Sequence, residues 1–259
     1  MKKMLLIQSL AAVVLVMGSA NALALIANDN SGNYGSGWTN GANGGTGFLA
    51  WSLSSSGGTD GFGGNFIGDP TAAGITGFGT QAFGQFANPS GSGAFANADR
   101  AFSSAMSVGD TFTFQWAVNF DSGSGNKGFN LFSGGVAGTQ LLNVNQGGFP
   151  GNITLGGSNT GIAYGTGPMT WTFTLQTTTS LLVTSSARDG SSTPFFSTNL
   201  TVAGAPDAFR FYSSNMDSGD NRQHYFNNFS VVPEPSTYAL LALGAFGLAG
   251  YAARRRARR

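Results

Sequence analysis

The chain has 259 residues, with no cysteine, 41 glycines, 22 phenylalanines and 9% charged residues, and its formal net charge of +1 is unevenly placed. Lys2, Lys3 and the arginines from Arg254 onward sit at the two ends, so residues 25–232 keep only Arg100, Lys127, Arg188, Arg210 and Arg222 against ten aspartates, a balance of about −5. Such a body lacks the clustered lysine and arginine that phosphate contacts need, which argues against a nucleic-acid partner, and without disulfides roughly 200 residues must hold together by burial alone.

In chain order, residues 1–24 read as a secretory signal peptide: Lys2 and Lys3, an apolar core from Met4 to Met17, then small residues at Ala20, Ala22 and Ala24. Cleavage is expected after Ala24, and Ala22 fits the same small-x-small rule. The chain is thereby a client of the secretion machinery. Residues 25–232 form the exported domain, whose first part, 25–97, is dense in glycine, asparagine, serine and phenylalanine. Two readings of that part compete. One is a flexible low-complexity segment; the other, favoured here, is a set of short strands between glycine turns, with Phe48, Trp51, Phe62, Phe66, Phe78, Phe83 and Phe86 as buried anchors.

From Ala98 onward the pattern sharpens. The run Thr111–Phe120 alternates strictly and sends Phe112, Phe114, Trp116, Val118 and Phe120 to one face, as a half-buried strand requires. Further short strands are expected at 128–132, 140–144, 152–155, 170–175, 181–184, 195–202, 208–212 and 225–232, about ten in all. No amphipathic helical stretch interrupts them. The fold class read from this spacing is all-β, an antiparallel two-layer sandwich.

The final residues, 233–259, are of another kind. Pro233, Glu234 and Pro235 are followed by an apolar run from Tyr238 to Ala253 and by Arg254, Arg255, Arg256, Arg258 and Arg259. As a helix the run rises about 24–27 Å, just short of a hydrocarbon core of about 30 Å, so a single transmembrane helix is expected, with the arginines on the cytoplasmic side. The prolines hold the joint before it extended and accessible.

This order of Pro-Glu-Pro, short span and arginine cluster resembles the PEP-CTERM sorting signal of bacterial exported proteins. The resemblance implies recognition by an exosortase, an integral-membrane transpeptidase that cuts near the motif, and a protein transiently membrane-anchored before it reaches the cell surface or the extracellular space. More loosely, Phe95–Phe102, the Val108-Gly109-Asp110 turn and the closing Tyr225–Val231 resemble a recurring PEP-CTERM ectodomain. That resemblance implies a jelly-roll or concanavalin-like sandwich.

Chemistry is thinly provided for. Glu234 is the only glutamate and lies in the sorting motif, so an acid/base pair would need aspartates such as Asp121, Asp217 or Asp220, which read more simply as turn residues. His224 is the only histidine and is expected to be exposed at the entry to the last strand. No enzyme activity and no cofactor are expected. Asp217 and Asp220 are the candidate ligands for a structural calcium ion. Tyr34, Trp38 and Tyr164 lie in glycine-rich loops and are the candidate rings for ligand contact. The reading is an exported structural or adhesive protein of the cell surface or extracellular matrix. The alternatives are a carbohydrate-binding module for exopolysaccharide and, third, a secreted glycoside hydrolase.

Overall fold

Alternation of apolar and polar residues sets the architecture. The computed structural model describes residues 26–233 apart from 36, 120–122, 124, 149–150 and 189–193, together with 244 and 254. Among the described residues fifteen strands follow one another: β1 (Ala27–Asp29), β2 (Ser52–Ser56), β3 (Phe62–Gly68), β4 (Ala82–Asn88), β5 (Phe95–Ala101), β6 (Thr111–Val118), β7 (Asn126–Ser133), β8 (Thr139–Gly147), β9 (Asn152–Leu155), β10 (Ser158–Ala163), β11 (Gly165–Thr177), β12 (Ser180–Ser186), β13 (Pro194–Thr201), β14 (Ala208–Ser214) and β15 (His224–Val232). All pairings are antiparallel. One sheet runs β13–β12–β11–β6–β15–β4–β3 with β1 beside β15; the other runs β10–β9–β8–β7–β14–β5–β2. Strands beyond the expected ten, such as β2 and β10, are serine- and glycine-rich, so they carry too few apolar residues to show a period.

Several sequence-level expectations fall outside the described residues: the signal peptide with Ala22 and Ala24, Phe120, Asp121, Glu234, Pro235, Arg255, Arg256, Arg258, Arg259 and, apart from residue 244, the span Tyr238–Ala253. Among the described residues no helix is long and apolar enough to cross a membrane.

The two inner faces meet in an aromatic core. Phe112, Phe114 and Trp116 of β6, Met169, Trp171 and Phe173 of β11, Phe129 and Leu131 of β7, and Phe209 and Phe211 of β14 are each no more than 1% exposed. Fully burying a large apolar side chain stabilises by about 1.5–3 kcal/mol, so this alternation is the main source of cohesion in a chain without disulfides. Between the sheets, the rings of Phe211 and Phe226 stack 3.8 Å apart at 12°.

Strand β15 occupies a central place and breaks the rule of two to do so. His224 and Phe226 face the interior, and so do Phe229 and Val231, although Phe226 and Phe229 are three residues apart. A bulge restores the phase: the register against β6 slips between Asn227 and Ser230, and Asn228 takes a left-handed φ of 57°. There the strand also changes its second partner, from β4 at His224–Phe226 to β1 at Phe229–Val231. Asn227 fills the gap. Its Oδ1 accepts from the Ser31 amide (2.8 Å), and its Nδ2 donates to Ser31 Oγ (3.1 Å) and to the Gln81 carbonyl (3.2 Å).

The glycine-rich part, 25–97, is ordered around one buried ion pair. Arg100 of β5 contacts Asp29 of β1, both side chains fully buried, and its remaining donors reach the carbonyls of Leu49 (2.8 Å) and Gly44 (2.8 Å) and Asn43 Oδ1 (3.1 Å). The guanidinium lies 4.8 Å from the ring centroids of both Phe48 and Trp51. Phe48, Trp51, Phe78 and Phe83 are buried, but three of the expected anchors are not. Phe62 is 70% exposed because it opens an edge strand, and Phe66 and Phe86 are half-buried on the outer face of their sheet. There glycine makes room for them. A Cβ on Gly84 would stand 2.5 Å from the Phe66 ring, and one on Gly64 would stand 2.6 Å from the Phe86 ring, so each ring lies over the bare backbone of its cross-strand partner.

Replacing Asp29 by alanine strands a buried guanidinium. The expected loss is about 3–5 kcal/mol, read as a lowered urea midpoint, whereas Asp69→Ala, which removes only an exposed cap on the Thr71 amide, is expected to lower that midpoint far less.

Candidate functional site

Two of the three rings proposed for ligand contact are interior. Tyr34 and Trp38 are 7% and 6% exposed. Tyr34 donates to Asp29 Oδ2 (2.6 Å) and accepts from Trp51 Nε1 (2.8 Å), and burial together with that carboxylate pushes its pKa up to about 12. Trp38 packs edge-on against Trp51 with centroids 5.2 Å apart. Both lie in loops, but rings from later in the chain cover them: Phe83 packs on Tyr34, and Trp51, Phe83 and Phe226 pack on Trp38. Tyr164 is half-buried and lines a cavity between β10 and β13.

The remaining predicted site residues serve local structure. The Asp217 carboxylate lies 4.0 Å from the Arg222 guanidinium, and Asp220 accepts from Gln223 Nε2 (3.2 Å) in a short 3-10 turn. Among the described residues no group of three His, Asp or Glu side chains is placed to hold a metal ion. Pro233 follows β15 directly, and Arg254 is exposed.

His224 is fully buried, against the expectation of an exposed loop residue, because it is the first inward-facing position of β15. Trp116 Nε1–H donates to its Nδ1 (2.9 Å), which fixes the other nitrogen as the protonated one; Nε2–H then donates to Gln85 Oε1 (2.8 Å). The Gln85 amide passes the chain on to Asn65 Oδ1 (2.7 Å) and the Phe211 carbonyl (3.2 Å). Burial, with the Lys127 charge nearby, holds the imidazole pKa well below 6.5. This is a neutral structural histidine joining both sheets.

A different set of residues, which the sequence reading did not single out, converges on the outer face of the seven-stranded sheet. In β7, Gly128, Asn130 and Phe132 alternate with the buried Phe129 and Leu131; in β8, Asn143 and Asn145 alternate with Leu142 and Val144; in β14, Arg210 and Tyr212 alternate with Phe209 and Phe211. The outward residues form one hydrogen-bonded array. Asn143 Nδ2 donates to Asn130 Oδ1 (2.6 Å) and to the Tyr212 hydroxyl (2.8 Å), that hydroxyl donates to Asn145 Oδ1 (2.9 Å), and Asn145 Nδ2 donates to Asn126 Oδ1 (2.9 Å). Tyr212 leans over Gly128, where a Cβ would lie 2.8 Å from its hydroxyl, and burial raises its pKa to about 12. Beside it Arg210 makes a two-pronged pair with Asp99, at 2.6 and 2.7 Å, above the Phe132 ring. The period-two spacing of Asn143 and Asn145 was the available signal. The reading went no further than a short strand at 140–144.

Residues 231–256 match the model of the PEP-CTERM protein-sorting motif, a motif associated with export and exosortase processing. The match begins within β15, whose last residues are Val231 and Val232. No curated protein matches the sequence. Solved structures similar to the chain include the globular domain of T. cruzi calreticulin (12% identity, covering 88% of this chain and 94% of that one, TM-score 0.46). Others are the cellulose-induced protein Cip1 (13%, 79% and 95%, 0.44) and a glycosyl hydrolase family protein from Mycobacterium fortuitum (15%, 70% and 90%, 0.42).

In the unfolded chain His224 takes up its proton as pH falls below about 6.5, while in the folded chain it stays neutral, so the unfolded state binds more protons and stability falls with pH. The limiting slope is about 1.4 kcal/mol per pH unit, starting at the unfolded value and running down toward the folded one. Because the chain has one histidine, urea midpoints of the protein and of His224→Gln, compared between about pH 7 and pH 5, are expected to show a steeper decline for the former.

Proposed function

We propose that this is an exported protein, sorted and processed by an exosortase-type transpeptidase, whose sandwich has a structural or adhesive role at the cell surface or in the extracellular matrix and catalyses no reaction. The observation that carries the reading is the sorting motif at residues 231–256, which starts at the end of the last strand, so that the folded domain stops where the address begins. A signal peptide at 1–24 and a membrane helix at 238–253 complete the proposal. The order of the strands in the two sheets is in keeping with a jelly-roll or concanavalin-like arrangement.

The employment of the carboxylates supports a non-enzymatic role. Asp29 and Asp99 pair with arginines, Asp110 caps the Ser107 amide, Asp207 caps Gly134 and Gly135, and Asp69 caps Thr71. Each of these carboxylates is already committed to holding local structure.

The second reading, carbohydrate binding, is favoured by the amide array around Tyr212. Amides and one ring on an otherwise flat sheet face suit sugar hydroxyls and the apolar side of a sugar ring. That reading expects Asn143→Ala to weaken retention on exopolysaccharide about tenfold, the cost of one or two hydrogen bonds, in a pull-down assay.

Sorting is tested by fractionating cells that carry an exosortase and express either the full chain or a variant with Pro233, Glu234 and Pro235 replaced by alanine. The full chain is expected at the surface or in the medium, and the variant in the membrane fraction. Equal distribution of the two, or a cytosolic full chain, would contradict the reading.

A further inference from the structure

A cavity of about 380 Å³ opens at the edge of the sandwich where β10 approaches β13, lined among others by Ile162, Ala163, Tyr164, Met169, Arg188 and Phe195. Its volume is at the lower end of the range of small-molecule sites, about 300–1,000 Å³. Neither the polar sheet face nor the sorting tail accounts for it.

Its one cation is held in an unusual way. Arg188 Nη1 donates to the carbonyls of Gly165 (2.9 Å) and Gly167 (2.8 Å), and Nη2 donates to that of Ala163 (2.5 Å). Two of these carbonyls come from the stretch of β11 that slips register against β6 between Gly165 and Met169. Three neutral dipoles fix the guanidinium, and among the described residues no opposite charge meets it. Two of its five N–H donors, on Nε and Nη2, stay open to a ligand. Among the described residues no carboxylate pairs with Arg188. Burial lowers its pKa only to about 10, so it is charged at neutral pH.

Apart from Tyr164 and Ser186 the rest of the lining is apolar. Met169 is fully buried, Ile162 is 4% exposed, and the Phe195 ring, 58% exposed, stands at the rim. Two lining side chains carry hydroxyls, Tyr164 and Ser186, and that of Ser186 already accepts from the Thr170 amide (2.9 Å) and donates to the Ala187 carbonyl (3.0 Å). A sugar would therefore leave several hydroxyls unsatisfied here, at a cost of about 1–3 kcal/mol each. A ligand with one anionic group and an apolar body leaves none.

We propose that this cavity binds a small organic monocarboxylate, its carboxylate on the free donors of Arg188 and its apolar body against Ile162, Met169 and the Phe195 ring. The assignment stands apart from sorting and from glycan binding on the sheet face, and fails or succeeds separately from them.

The test is isothermal titration of the full chain in detergent, with empty micelles as the blank, using phenylacetate, its neutral counterpart 2-phenylethanol, and galacturonate. Saturable binding of phenylacetate is expected, at least about tenfold tighter than either of the others. Arg188→Gln is expected to remove that preference, and Phe195→Ala to weaken phenylacetate several-fold with an unchanged melting temperature. Equal affinity for phenylacetate and 2-phenylethanol, tighter galacturonate, or wild-type affinity in Phe195→Ala would overturn the proposal. Should Arg188→Gln not fold, Phe195→Ala and the neutral-ligand comparison decide the matter alone.

Discussion

The structure depends on the placement of its last strand. β15 lies between β6 on one side and β4 and then β1 on the other, so the final residues of the domain supply the middle of the eight-stranded sheet. Phe226 stacks on Phe211 from the opposite sheet, His224 joins Trp116 to Gln85, and Phe229 lies 5.2 Å from Phe209. Until this strand arrives, β4 and β6 have no common neighbour and the aromatic core lacks its centre. The sorting-motif match at 231–256 begins inside this strand, so the residues that complete the fold run directly into those that carry the motif. Folding and sorting share a boundary.

Much of the sandwich was legible because burial on one face imposes a period of two. Thr111–Val118 and Thr170–Leu175 showed it plainly, and Trp116 and Trp171 are both fully buried. What could not be read were features that depend on partners distant in sequence. Tyr34 and Trp38 lie in loops, and nothing local shows that Phe83, and for Trp38 also Phe226 near the end of the domain, will close over them. The bulge at Asn228 is invisible to a rule of strict alternation, since it exists to break that rule. Phe62 failed in the other direction: an aromatic residue among glycines reads as an anchor, yet an edge strand leaves it in solvent.

The candidate sites show a similar division. The tail could be identified from its own residues, because a short apolar run flanked by Pro-Glu-Pro and arginines needs no tertiary partner to be recognised. The polar sheet face and the Arg188 cavity could not, since both are assembled by register, one across β7, β8 and β14 and the other across two sheet edges. Part of the domain's charge is meanwhile committed to structural pairs, Asp29 with Arg100 and Asp99 with Arg210.

The dependence on β15 can be measured directly by comparing a chain that starts at Leu25 and ends at Val232 with one that ends at Gln223, using near-ultraviolet circular dichroism and urea unfolding. The longer chain is expected to give a strong aromatic signal and one cooperative transition. The shorter is expected to give neither. Equal cooperativity and equal midpoints in the two chains would show that the sandwich stands without its last strand, and would contradict the account.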